Sequence, residues 1–399
     1  MTSDYEIPTI AEQKNQIHQE EHAISRREQR RIESEILKKS SGINIDELLM
    51  KVVIDGASDL HLSCESVPRY RIDGDLIPMP DEEVVTNDWL RNQIRSIAND
   101  KLWDEYNENN EIDLSHAVEG YGRFRVNVFV QRGQAAAVMR TIPTQIKTIQ
   151  QLGVPDSLND IVKKPKGLIL VTGPTGSGKT TTLTAMLDAI NASRQEHIVT
   201  IEDPIEFVHE NKMSLVNQRE VGSDTASFSE ALKRVLRQDP DVILIGEMRD
   251  AETISTALTA AETGHLVFGT LHTQSSAKTI DRIIDTFPAH QQNQVRSQLA
   301  DTLQAVICQD LVKKAGGGRV AATEILMRTD AISNNIREGK ISAIYSALQT
   351  GRTHGMHTFD QDYIRLVKAG LVEKEEVINS MRNPKDLDGI LTMNNDWSA

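Results

Sequence analysis

Cysteine is scarce in this sequence, with only Cys64 and Cys308 in 399 residues. Two distant thiols cannot build a four-thiolate zinc site or a disulfide framework, so a buried free thiol is the expected state of each and no zinc is expected. Long apolar runs are missing as well. The longest, such as Gly167 to Val171 and Val242 to Ile245, are strand-sized, far short of the roughly 20 residues a bilayer-crossing helix needs. The opening MTSDYEIP lacks the basic-then-apolar pattern of a signal peptide, and a cytoplasmic protein is expected. Positive charge is in deficit: 44 Lys and Arg against 58 Asp and Glu leave a net charge of −14. That balance disfavours non-specific binding to nucleic acid or anionic lipid, and no basic, aromatic-rich nucleic-acid module is recognisable. With 12 Pro, 23 Gly, 39% hydrophobic and 26% charged residues, the chain reads as globular, neither disordered nor collagenous, and long enough for about two domains.

Composition shifts along the chain suggest its organisation. Residues 1–41 form a highly polar, helix-prone extension around Ser25-Arg-Arg-Glu-Gln-Arg-Arg31, with Ile10, Ile17 and Ile24 seven apart. One apolar position per heptad is too thin for a coiled-coil seam, which leaves a solvated arm or a docking segment. Residues 42–142 read as short strands with one or two helices: Asn44 to Ile54 is a helix, Asp73-Gly74 a hairpin turn, and Arg123 to Gln131 a strand. In that strand Phe124, Val126, Val128 and Val130 share one face, while Arg123 and Arg125 stand side by side on the other. A solvated arginine pair and a functional one are both open. Pro143 and Pro155 bracket a linker, 143–155. Over 156–290 strands alternate with helices in the manner of a mostly parallel sheet, 291–387 reads as a helical remainder, and 388–399 is a tail. The fold class is α/β.

The sharpest local signal follows the apolar run Gly167 to Thr172. Gly173, Pro174, Thr175, Gly176, Ser177, Gly178, Lys179 and Thr180 spell the full G-x4-G-K-[ST] pattern, and Thr181 opens a helix-prone stretch to Ala192. Glycines let backbone N–H groups wrap phosphates and the helix N-terminus adds partial positive charge. The lysine reaches the β- and γ-phosphates, and the Thr180 hydroxyl ligates Mg²⁺. ATP and Mg²⁺ are therefore expected. Such a loop needs an acid at a neighbouring strand end, and Glu247 after Val242 to Ile245 supplies one as a Mg²⁺ partner, directly or through water. The run Ile198 to Ile201 ends in Glu202, Asp203 and Glu206, of which one should orient or deprotonate the attacking water. His265 and His272 flank another apolar run, Leu266 to Phe268. Each is either a γ-phosphate sensor or a structural histidine.

These boxes resemble a known family. The P-loop, Thr200-Ile-Glu-Asp-Pro-Ile-Glu-Phe207, Leu236 through Arg249 and Gly264 through His272 resemble, in that order, the secretion ATPases, and within them the pilus-retraction (PilT/PilU) branch. Gly56 to Leu62, Gly339-Lys340 and Phe359 to Gln361 look like the same family, so the resemblance runs from about residue 44 to 387. It implies a PAS-like α+β N-terminal domain and a RecA-like P-loop motor domain. It further implies a homohexameric ring that hydrolyses ATP to retract a type IV pilus and drive twitching motility. The implied partners are an inner-membrane pilus platform protein and a PilU-like paralogue, with the ring peripheral at the inner-membrane base. Glu206 would be the catalytic carboxylate, Glu247 the second acid near Mg²⁺, and His265 and His272 the histidine box. Arg125 and Arg140 would be the N-domain arginines that reach the nucleotide, with Arg123 and Arg132 nearby. A PilT-like paralogue and a pilus-assembly or secretion ATPase are the alternatives, although the latter commonly carry a four-cysteine module.

One box departs from the family. Where relatives read A-I-R-N-L-I-R-E, this chain has Ala331-Ile-Ser-Asn-Asn-Ile-Arg-Glu338, with Ser333 in place of Arg and Asn335 in place of Leu. Ile332 and Ile336 would share one helix face. Ser333, Arg337 and Glu338 would lie on another that could meet a partner, passing movement to the pilus machinery.

Overall fold

The computed structural model describes residues 44–72, 74–142 and 146–387. The polar extension 1–41, Asp73 of the expected turn, Pro143 and the tail 388–399 lie outside the described residues. The chain divides after Thr141 into two compact units.

The first unit holds α1 (Ile45–Ile54), α2 (Asn87–Ile97) and α3 (Asp100–Asn109). Its strands are β1 (Asp59–Ser63), β2 (Arg69–Ile72), β3 (Asp75–Pro78), β4 (Glu111–Val118), β5 (Gly122–Gln131) and β6 (Gln134–Ile142). They form one sheet in the order β3-β2-β1-β6-β5-β4. A capping box starts α1: the Asn44 side chain accepts from Glu47 N at 2.9 Å while the Glu47 carboxylate accepts from Asn44 N at 3.3 Å. Such a cap contributes about 1 kcal/mol. On β5 the alternation is as expected, with Phe124, Val126 and Val128 buried among Leu48, Leu90 and Ile94, and Arg125 exposed on the opposite face.

The second unit contains α4 (Ile149–Leu152), α5 (Ser157–Ile161), α6 (Lys179–Ser193), α7 (Phe228–Val235), α8 (Ala251–Glu262), α9 (Ser276–Asp285) and α10 (Ala289–Thr302). Further along come α11 (Asp330–Arg337), α12 (Ile341–Thr350), α13 (Phe359–Lys368) and α14 (Lys374–Val377). Its strands are β7 (Gly167–Thr172), β8 (His197–Glu202), β9 (Leu215–Glu220), β10 (Val242–Ile245), β11 (Leu266–Leu271), β12 (Leu303–Lys313) and β13 (Arg319–Met327). They form a seven-stranded sheet ordered β13-β12-β7-β11-β10-β8-β9. Every neighbouring pair is parallel except β12 with β13. Both faces are covered. Leu168 and Leu170 bury on the side of α7 to α10, and Ile169 and Val171 bury against α4, α5 and α6. A strand buried on both faces has no polar alternation, which is why these strands read as unbroken apolar runs.

Two expectations about boundaries need correction. The segment 291–387 is not a helical remainder, because β12 and β13 extend the nucleotide sheet and β12 pairs directly with β7. The segment 143–155 is not simply a linker. Ile149 and Val154 are buried in the core of the second unit with Leu158 and Ile161, so its latter part is structural. No helix among the described residues is long and apolar enough to cross a membrane. Both cysteines are buried free thiols.

Candidate functional site

The strands β7 and β8 are consecutive in the chain but separated in the sheet by β11 and β10. At such a switch point the crevice outside the carboxyl ends of the strands is open to a ligand. The loop 173–178 leaves β7 into that crevice and enters α6 at Lys179. Two glycines are dictated by contact as well as conformation. A Cβ on Gly173 (φ +141°) would fall 2.2 Å from the Gln309 carbonyl oxygen, and one on Gly178 (φ +85°) 2.8 Å from Gln309 Nε2. Lys179 Nζ donates to the carbonyls of Gly173 at 2.8 Å and Pro174 at 3.0 Å. Burial pushes the Lys179 ammonium below its ordinary value, opposed by the charges of Glu247 and Glu206.

In-register parallel pairing brings the acids to the same edge: Thr172 of β7 lies beside Leu271 of β11, and Ile201 of β8 beside Ile245 of β10. Thr180, Glu202, Asp203, Glu206, Glu247 and Thr270 all line one cavity of about 90 Å³. The acids there differ in character. Glu202 is buried, accepts from Thr200 Oγ1 at 2.6 Å and Gln218 Nε2 at 3.0 Å, and burial raises its carboxyl above the usual range despite those bonds. It is a fixed structural acid. Gln218 also donates to Phe207 O at 2.8 Å and accepts from His209 N at 2.8 Å, stapling the acidic loop. Glu206 is left exposed on that loop, and so is Asp203. Glu247 accepts from Arg249, and its Oε1 lies 3.1 Å from His272 Nε2. The Arg249 hydrogen bond, outweighing burial, holds the Glu247 carboxyl below its ordinary value, so it is ionised at neutral pH.

The two histidines part company. His272 follows the carboxyl end of β11 and joins the site through Glu247. His265 precedes the other end of that strand, where its carbonyl accepts from Gly167 N, the first residue of β7. At about 3.3 Å per residue the two histidines are about 23 Å apart along the strand. The His265 Nδ1–H donates to Ala260 O at 2.9 Å, closing the end of α8. In its own subunit His265 is therefore a helix-end residue and not a γ-phosphate sensor, a correction that follows from only one edge of a parallel sheet facing the nucleotide.

Arg125 and Arg140 belong to the first unit. Arg140 Nε donates to buried Asp59 Oδ1 at 2.7 Å, yet the arginine side chain stays 71% exposed. Burial works to raise the Asp59 carboxyl, and the Ser58 hydroxyl and Arg140 outweigh it, leaving Asp59 below its ordinary value. Arg125 Nε lies 4.0 Å from Asp113, and Arg123 donates to Ser115 Oγ at 2.6 Å. Within the altered box, Ile332 and Ile336 of α11 bury as expected, but Ser333 is buried too. Its hydroxyl donates to Ala300 O at 2.9 Å, so it does not belong to the exposed face. Arg337 does, paired with Asp301 of α10 at 2.8 Å.

The loop suits a phosphate chain. Ser177 Oγ is buried with no hydrogen-bond partner among the described residues, next to a helix N-terminus whose N–H groups attract anions. Thr180 and Glu247 offer hard oxygen donors on the same cavity, the sparse protein ligation that Mg²⁺ accepts when phosphates and water complete its shell. Among the described residues no cluster of three or more His, Cys, Asp or Glu could hold a metal alone. Residues missed by sequence reasoning are Gln218 and Gln309. Neither sits in a recognisable motif, and only the polar interruption of an apolar strand at Gln309 signalled anything.

A family model described as "Type II/IV secretion system protein" matches residues 38–379. The chain is 54% identical over 346 residues to the type IV pilus retraction ATPase PilT of Pseudomonas aeruginosa, covering 86% of this chain and 100% of that one. It is 50% identical over 323 residues to a twitching motility protein of Neisseria gonorrhoeae, covering 80% and 86%. With the type IV pilus ATPase PilU of Pseudomonas aeruginosa the identity is 35% over 358 residues, covering 90% and 94%. Among solved structures, the pilus retraction motor PilT with bound ADP superposes with a TM-score of 0.80 at 47% identity, covering 87% of this chain and 99% of that one.

Proposed function

This chain belongs to the type II/IV secretion system protein family, and from that premise we propose that it is a Mg²⁺-dependent ATPase that powers retraction of a type IV pilus. The observation that carries the reading is the convergence of Thr180, Glu206 and Glu247 on one cavity beside the P-loop. The higher identity to PilT than to PilU favours retraction in the PilT manner.

The residues divide the labour by position. Backbone N–H groups of 173–178 hold the phosphates, and Lys179 exchanges the carbonyls of Gly173 and Pro174 for the β- and γ-phosphate oxygens. Glu206, exposed on the acidic loop and lining the same cavity as Thr180, orients and deprotonates the attacking water. The Thr180 hydroxyl and the Glu247 carboxylate would hold Mg²⁺, which would supply neutralisation of phosphate charge and polarisation of the transferring group. His272 reports the state of Glu247 to the segment that enters α9. Arg125 and Arg140 act on the nucleotide in a homohexamer, and the hydrogen bond to Asp59 holds the Arg140 guanidinium. The ring works at the inner-membrane base of the pilus on a platform protein, with a PilU-like paralogue beside it. One organism carries relatives of both types.

The direct test is hydrolysis by the purified chain. ATP turnover that requires Mg²⁺, stops on chelation and is absent in Lys179→Ala supports the reading. A pure, folded wild-type protein that binds no nucleotide overturns it.

A further inference from the structure

Gln309 lies on β12, one residue past Cys308, which is registered against Thr172 at the end of β7. Its side chain is buried and spans the base of the P-loop. Ser177 O can only accept, so the amide atom facing it at 2.7 Å is Nε2, which donates. The opposite atom, Oε1, then accepts from the Thr182 hydroxyl at 2.7 Å. One planar group thus ties the last turn of the loop to the first turn of α6, straddling Lys179 and Thr180. The Gln309 backbone presses on the other end of the loop, since its carbonyl oxygen would lie 2.2 Å from a Cβ on Gly173.

We propose that Gln309 is a positioning residue for nucleotide binding, whose buried amide sets the spacing between Ser177 and α6 and so holds the loop N–H groups, Lys179 and Thr180 in phosphate-binding geometry. The inference rests on the reading of this loop as an ATP site. The Gln309 amide supplies a donor and an acceptor from one planar group, and its length reaches both partners. Glutamate lacks the donor, and methionine keeps the volume while losing both bonds. Two short, buried hydrogen bonds cost the most when one partner is left unpaired, and here the unpaired groups would belong to the loop that binds phosphate.

The probe is a fluorescent ADP analogue, titrated against the whole purified chain with Mg²⁺, alongside Tm without nucleotide. Wild type must bind it; if it does not, the ATP reading itself fails and not only the role of Gln309. Gln309→Met should weaken binding roughly tenfold or more, about the loss of one well-made hydrogen bond, and raise KM for ATP more than it lowers kcat. Gln309→Asn, one methylene short, should not restore affinity. Thr182→Val severs only the acceptor side and should weaken binding by a smaller factor, with the double variant no worse than Gln309→Met alone, because both act through one amide. A Gln309→Met protein of lowered Tm that binds the analogue as wild type does would reduce Gln309 to core packing and overturn the proposal. If that variant fails to fold, wild-type affinity in Thr182→Val overturns it equally.

Discussion

Lys179 and Glu206 should fail in different ways when removed. Lys179→Ala deletes the charge that meets the phosphates, so both nucleotide affinity and turnover should collapse. Glu206→Gln keeps the shape of the loop and removes only the base. Nucleotide affinity should stay within about threefold while kcat drops by roughly 10² to 10⁴, the usual worth of a positioned general base. Equilibrium binding beside steady-state turnover separates the two, and wild-type turnover in Glu206→Gln removes that residue from the mechanism. The pH behaviour of the two strand-end acids should also be opposite. Glu247 is held below its ordinary 4.5, chiefly by Arg249. Its contribution to stability is present above pH 4.5 and lost as pH falls through the lower folded value. Glu202 is raised above 4.5 by burial, so the folded state holds that proton more tightly and stability falls as pH rises from 4.5 through its folded value. Glu202→Gln keeps an acceptor for Thr200 and Gln218 without a charge to bury. Thermal melts from pH 4 to 8 should show a shallower decline than wild type, and an unchanged slope would contradict the assignment.

At the scale of elements, the altered box offers a separable test. Arg337 is exposed and tied to α10 through Asp301, and Glu338 pairs with Lys340 at 2.7 Å, so neither supports the core. Arg337→Ala and Glu338→Ala should leave ATP turnover within about twofold and abolish pilus-driven movement if this surface passes motion onward. Parallel loss of both activities would make the box part of the motor's own structure. Ser333→Ala, in contrast, should cost about 1 kcal/mol by leaving Ala300 O unpaired. Legibility followed the same physics. The strands β7, β8, β10 and β11 were plain because burial on both faces leaves only apolar side chains, and the P-loop was plain because phosphate binding dictates its spelling. The strand β12 escaped because Gln304, Gln309 and Asp310 interrupt its apolar run, and Gln309 is polar for the sake of the loop it holds. His265 was misplaced because a sequence shows that a residue flanks a strand but not which edge of the sheet faces the ligand. Ser333 looked exposed by residue type, while a partner 33 residues away satisfies its hydroxyl.

For the whole molecule, the proposed action of Arg125 and Arg140 in a homohexamer predicts that turnover depends on assembly. Specific activity should rise with protein concentration as rings assemble. Arg140→Ala should lower kcat by roughly 10³, as loss of an arginine finger does, while changing nucleotide affinity far less. Full turnover by a strictly monomeric preparation, checked by light scattering, would contradict that dependence.

The central claim, that hydrolysis at this site pulls a pilus in, is tested most directly by counting surface pili and scoring twitching in cells whose only copy of this protein carries Glu206→Gln. The account predicts excess surface pili and no movement, because assembly continues while the retracting stroke is lost. Bald cells would mark the protein as an assembly motor, and normal piliation with normal twitching would contradict the account altogether.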